Sequence, residues 1–151
     1  MKRSWLGPVV MLLAVVMVMG VLRARFGGVA ETPASFASHT TLDVAIAESA
    51  SSGKPVLALV TADWCGPCQV LKRGALADER VAGWIGEHAI PAYVDGTDST
   101  TEQAQRELRM LQIEAFPTLV LFDSEGELSR RTGVLSAGEL LNWLEGSGVG
   151  G

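Results

Sequence analysis

At 151 residues with 48% apolar residues, the chain is long enough for one globular domain with its own core and too short for two plus a membrane segment. All 17 acidic residues lie after residue 25, with only 8 of the 12 basic ones, an acidic balance that excludes nucleic acid as the expected partner. The only two cysteines, Cys65 and Cys68, are too close in sequence to gain much chain entropy from a staple, and His39 and His88 lie far from them without metal-ligand spacing, so neither a structural disulfide framework nor a zinc site is expected.

Ser4 to Leu22 carries no charge over 19 residues and is bracketed by Lys2, Arg3, Arg23 and Arg25. As a helix it reaches roughly 28 Å, close to a hydrocarbon core of about 30 Å. Two readings fit residues 1–25: an uncleaved membrane anchor, or a signal peptide cut after Gly28-Val29-Ala30 or Ser35-Phe36-Ala37. The anchor is favoured because the run exceeds a usual signal core and basic residues follow it at once. Either way, the remainder of the chain is exported. Residues 26–40, rich in Gly, Ala, Ser and Thr, read as a flexible linker.

The domain is expected over 41–146, with a flexible tail at 147–151. Thr41 to Ser51 reads as a short helix closed by Gly53, and Val56 to Val60 is a continuous apolar run typical of a strand buried on both faces. Gln69 to Leu76 reads as helix interrupted near Gly74, followed by a second helical piece capped by Asp78. Then come a strand at Ile90 to Val94, an amphipathic helix at Ser99 to Leu111, strands at Thr118 to Phe122 and Leu128 to Arg131, and a helix capped by Ser136 that runs to Leu144. This order predicts an α/β fold: a mixed sheet with helices on both faces, its first two strand connections right-handed crossovers if parallel.

A cysteine between a buried strand and a helix stands where backbone N–H groups and the helix dipole favour thiolate, so Cys65 is the expected nucleophile. Cys68, one turn later, is placed to resolve a mixed disulfide on Cys65. Pro67 suits a first helical turn, Gly66 keeps the approach to sulfur open, and Trp64 offers a flat apolar face beside it. Pro117, entering a later strand after Phe116, is a candidate for a cis bond that exposes the backbone of residue 116 to an extended substrate.

The segments Trp64-Cys65-Gly66-Pro67-Cys68, Phe116-Pro117-Thr118 and Gly133-Val134-Leu135-Ser136 resemble the thioredoxin superfamily in order and spacing. Gly53-Lys54-Pro55-Val56, Ala62-Asp63-Trp64-Cys65 and Asp78-Glu79-Arg80-Val81 look most like the C-terminal domain of the transmembrane thiol:disulfide interchange reductases. The resemblance implies a thioredoxin fold with a mixed sheet of four to five strands, a cis Pro117, and a substrate groove lined by Trp64, Phe116, Pro117, Gly133 and Val134. One departure stands out: Leu59 occupies the position of the buried Asp that thioredoxins carry six residues before the first Cys, and Pro91 aligns with its Lys companion. Asp63 and Asp95 are possible substitute bases for Cys68, though each reads first as a solvated strand-end residue.

The expected function is therefore reduction of protein disulfides outside a bacterial-type cytoplasmic membrane, with the domain facing the periplasm or cell exterior. Membrane contact is expected through residues 4–22 and recharging through an integral-membrane thiol donor. No cofactor or metal is expected beyond a redox-active Cys65/Cys68 pair. The alternative is a tethered chaperone or assembly factor that binds substrates in the Phe116-Pro117 groove with little redox turnover. Copper delivery is disfavoured because no further His or Met ligands lie near the pair.

Overall fold

A computed structural model of the chain describes residues 6–38 and 40–149. Its elements, in order, are α1 (Leu6–Phe26), a 3-10 turn (Ala34–Phe36), α2 (Leu42–Ser52), β1 (Val56–Thr61), α3 (Gly66–Arg73), a second 3-10 turn (Ala75–Ala77), α4 (Glu79–His88), β2 (Ile90–Asp95), α5 (Glu102–Met110), β3 (Thr118–Phe122), β4 (Glu127–Thr132) and α6 (Ala137–Glu145).

The four strands form one mixed sheet in the order β2-β1-β3-β4. β1 pairs parallel with β2, Leu59 opposite Tyr93, and antiparallel with β3, Leu59 opposite Leu119. The unbroken apolar run of β1 is thus explained by its central place, where all six residues are buried. Pro91 is tolerated because β2 is an edge strand. The parallel condition on the strand connections is met by β1 and β2 alone: β3 returns beside β1 in the opposite sense.

The alternation of β1 and β3 divides the core. Leu57, Leu59, Leu119 and Leu121 pack with Leu71 of α3, Val81 and Ile85 of α4, and Leu140 and Leu144 of α6. Val56, Ala58, Val60 and Val120 face Leu42 and Ala45 of α2 and Leu111 beyond α5. Helix ends follow local chemistry. Gly53, at φ 75, closes α2 in the left-handed region open to glycine. Asp78 caps α4 through the Arg80 N–H, and Ser136 and Glu139 form a capping box on α6. Thr41 occupies the N-cap of α2 without a side-chain cap bond.

Two features differ from expectation. Residues 26–40 are not wholly a flexible linker. Phe36 is 1% exposed inside the core, Ala30 and Pro33 are buried, and Ala30 N–H is bound by Gln69, so 29–36 lies on the domain as a docked strap. Burial of Ala30, Pro33 and Phe36, together with the bonds from Gln69 and Arg73, acts against the chain entropy lost in ordering this segment. Cleavage after Ala37 would take Phe36 out of the core.

At the other end, residues 7–21 of α1 are exposed. Among the described residues no helix is long and apolar enough to cross a membrane. Residues 4 and 5 and the side chains of 6 and 22–26, which complete the expected 4–22 span and its Arg23 and Arg25 flank, lie outside the described residues, as do Lys2, Arg3, His39 and 150–151.

Candidate active site

β1 ends at Thr61, and the chain turns at once: Cys65 N–H donates to Ala62 O at 3.2 Å, bringing Cys65 to the N-cap of α3. Pro67 lies in the first helical turn, where its missing N–H costs nothing. Cys65 and Cys68 are joined as a disulfide with their Cα atoms 5.2 Å apart. Cys68 N–H also points at Cys65 Sγ, 3.2 Å away, so a backbone donor is aimed at the sulfur that caps the helix. Both cysteines are buried, Cys65 at 5% and Cys68 at 1% exposure, while Gly66 and Pro67 are exposed beside them.

Trp64 is 64% exposed. Its indole N–H donates to Thr97 O at 3.1 Å, and its ring meets Phe116 edge-on with centroids 5.4 Å apart. Phe116 packs in turn on Ala62, Cys65 and Cys68. The Phe116–Pro117 bond is cis, Pro117 is buried, and Pro117 O accepts Gly133 N–H at 2.8 Å. Gly133 has φ 96, a conformation that favours glycine, and Val134 follows it 47% exposed. The sequence-predicted residues from Trp64 to Cys68 therefore gather with Phe116, and Gly133 joins them through Pro117.

Four residues to which the sequence assigned no role at the site complete it. Gly96 is buried against Phe116: a Cβ there meets ring atoms Cε1 and Cζ at 2.6 Å. Asp95-Gly96 is a turn dipeptide, the signal by which this close approach was legible. Thr97 holds both Trp64 and, through Oγ1, Asp63 N–H at 2.9 Å. Gln69 and Lys72 lie four residues after Cys65 and Cys68, and that spacing places them on the cysteines' helical face.

The Lys72 side chain is 1% exposed. Its Nζ donates to Tyr93 Oη at 2.9 Å and lies 3.9 Å from Asp63 Oδ1. Leu59 is buried at 1% among apolar neighbours, so no carboxylate sits at that position. Asp63, 45% exposed at its side chain, and Asp95, exposed and accepting Thr97 N–H, are strand-end residues in contact with solvent. The strongly depressed carboxylate is remote from the sulfurs: Arg80 beside Asp78 holds it down at about 2, at the cap of α4.

Residues 42–147 match the family model described as a Thioredoxin-like domain. The chain is 31% identical over 99 residues, 64% of its own length, to the thiol:disulfide interchange protein DsbD of Actinobacillus pleuropneumoniae, and the match covers only 17% of that protein. It is 33% identical over 96 residues to a thioredoxin-like protein of Synechocystis, covering 64% of this chain and 84% of the relative.

Among solved structures, a thioredoxin from Thermus thermophilus superposes with TM-score 0.62 at 22% identity, covering 71% of this chain and 83% of that one. The C-terminal domain of Neisseria meningitidis DsbD in its reduced form gives 0.61 at 20% identity, covering 70% and 93%. At these identities the superpositions speak for the fold alone. Because the family match spans 42–147, and so takes in both cysteines, the whole sheet and the cis proline, the chain belongs to the thioredoxin-like family of disulfide oxidoreductases.

Proposed function

We propose that the protein reduces disulfides in other proteins by cycling Cys65 and Cys68 between dithiol and disulfide, with no further cofactor. The observation that carries this reading is the Cys65–Cys68 disulfide at the start of α3, with Cys68 N–H directed at Cys65 Sγ. That donor and the positive end of the helix favour negative charge on Cys65, which makes it the nucleophile.

The Cys65 thiolate attacks one sulfur of a substrate disulfide, forming a mixed disulfide and expelling the other substrate sulfur as thiolate. Cys68, as thiolate, then attacks Cys65 Sγ. The second substrate sulfur leaves and the Cys65–Cys68 disulfide forms, two electrons having passed to the substrate, whose two sulfurs take up protons. A dithiol donor reverses these steps to recharge the pair.

Trp64, Gly66 and Pro67 on one side and Phe116, Pro117, Gly133 and Val134 on the other form the face on which an extended substrate segment docks. Residues 4–22 anchor the chain in a cytoplasmic membrane, with the domain on the outer side and an integral-membrane thiol protein as donor. What supports this reading is the uncharged run from Ser4 to Leu22 with basic residues on both flanks, together with the domain's similarity to a segment of DsbD, a thiol:disulfide interchange protein.

The test is Cys68→Ser in the full chain in its native membrane. The first step proceeds and the second is blocked, so a covalent, reductant-sensitive adduct on Cys65 accumulates and identifies the substrate. A Cys68→Ser protein that forms no such adduct, while a Cys65/Cys68 double substitution retains cellular function, overturns the reading in favour of a binding role.

A further inference from the structure

Gln69 directly follows Cys68, and its side chain is buried at 7% exposure, where an amide destabilises the fold unless its donors and acceptor are satisfied. Two separate parts of the chain satisfy it. Nε2 donates to Ala62 O at 3.2 Å and Asp63 O at 3.1 Å, while Oε1 accepts Ala30 N–H at 2.6 Å. Turning the amide over would set its oxygen against two carbonyls and its nitrogen against an N–H, so its partners fix the orientation. Ala62 O already receives Cys65 N–H, and Cys65 O receives Gln69 N–H at 3.3 Å. The turn that presents Cys65 is thus closed by its own backbone, with Thr97 Oγ1 bracing its Asp63 N–H and Gln69 its carbonyls. The far end of that brace is the strap, which is held by buried Phe36 and by Arg73 on Gly28 O.

We propose that Gln69 is a positioning residue for the dithiol, through which docking of the strap 29–36 fixes the Ala62–Asp63 turn and hence the alignment of Cys68 N–H with Cys65 Sγ. The inference rests on the oxidoreductase reading. The alignment matters most in the reduced protein, where the sulfur is charged and the N–H bond is charge-assisted; in the oxidised protein the S–S bond itself holds the two residues together. Loosening the turn therefore weakens the reduced form more than the oxidised form and makes the pair a stronger reductant.

The experiment equilibrates the full chain with glutathione buffers and counts free thiols by alkylation, for wild type, Gln69→Met, Ala30→Pro and the double variant, with folding checked by cooperative unfolding. Gln69→Met keeps the bulk and removes the bonds; Ala30→Pro removes the N–H facing Oε1 while leaving Gln69 and its bonds to Ala62 O and Asp63 O in place, its ring also fixing φ at position 30. Gln69→Met is expected to shift the equilibrium toward disulfide by roughly fivefold, the factor equivalent to about one net hydrogen bond. Ala30→Pro shifts it in the same direction by less, and the double variant matches Gln69→Met. The pH profile of Cys65 alkylation moves upward with them.

A folded Gln69→Met protein with the wild-type equilibrium overturns the proposal. If that variant does not fold, an unshifted Ala30→Pro overturns it instead, and strictly additive effects in the double variant refute the coupling. A wild type that exchanges with no disulfide defeats the oxidoreductase reading itself, whereas an active wild type with unaffected variants defeats only the role of Gln69.

Discussion

Replacing Phe36 with Ala separates a docked strap from a linker. The ring is 1% exposed and belongs to the same cluster as Leu76, Val81, Ile85 and Ala89, and its 3-10 turn packs on α4 and β2, so its removal leaves a void there. Phe-to-Ala changes at such sites cost about 3–5 kcal/mol, transfer and cavity combined. Set against a total stability of about 5–15 kcal/mol, this is a large fraction. For a domain of about 100 residues, each kcal/mol moves Tm by roughly 4–8 °C, so a fall of about 12 °C or more is expected.

Urea titration followed by tryptophan fluorescence suits the measurement, because Trp84 and Trp143 belong to or pack against the same cluster. A lower midpoint at unchanged slope is the expected result. Val29→Ala provides the control: Val29 is 57% exposed in the same strap, and its change is expected to stay within about 0.5 kcal/mol. A Phe36→Ala loss below about 1 kcal/mol would refute the packing argument and restore the flexible linker.

Gly96→Ala drives a methyl into the Phe116 ring, which must then leave its place against Ala62, Cys65 and Cys68. The expected cost is about 1–3 kcal/mol, with a slower disulfide exchange rate in a turnover assay; unchanged stability and rate would contradict the close approach. Asp78 is expected to titrate at about 2 by NMR, because Arg80 bonds its carboxylate. As its folded pKa is depressed, its contribution to stability is complete above the ordinary value of 3.8 and is lost as pH falls through about 2. Arg80→Ala moves the midpoint upward, and a wild-type midpoint near 3.8 would contradict the pairing.

The elements that could be read ahead of the structure were those whose signals are local. The apolar run of β1 has the length and bounds of a buried strand, Ser136 and Glu139 carry a capping box in their spacing, and Cys65-Gly66-Pro67-Cys68 states its helix start through Pro67. Partners distant in sequence were not legible. Ala30 and Gln69 are 39 residues apart, and nothing periodic in the Gly- and Ser-rich approach marks Phe36 as a core residue. Lys72 escaped because a lysine on a short amphipathic helix normally reaches solvent, whereas here Tyr93 and Asp63 receive its ammonium. β3 runs antiparallel to β1 because of long-range pairing, which strand composition does not encode.

Strap docking also limits how far the domain can travel. Only Gly27, Gly28 and Val29 separate the end of α1 at Phe26 from bound Ala30. A tether of that length spans at most about 14 Å when fully extended. If α1 is held in a bilayer, the cysteines patrol a thin layer at its surface and cannot sample the surrounding volume. On the proposed function, encounters with a membrane-embedded donor then become a search in two dimensions at high effective concentration, while soluble substrates would have to come to the membrane to react.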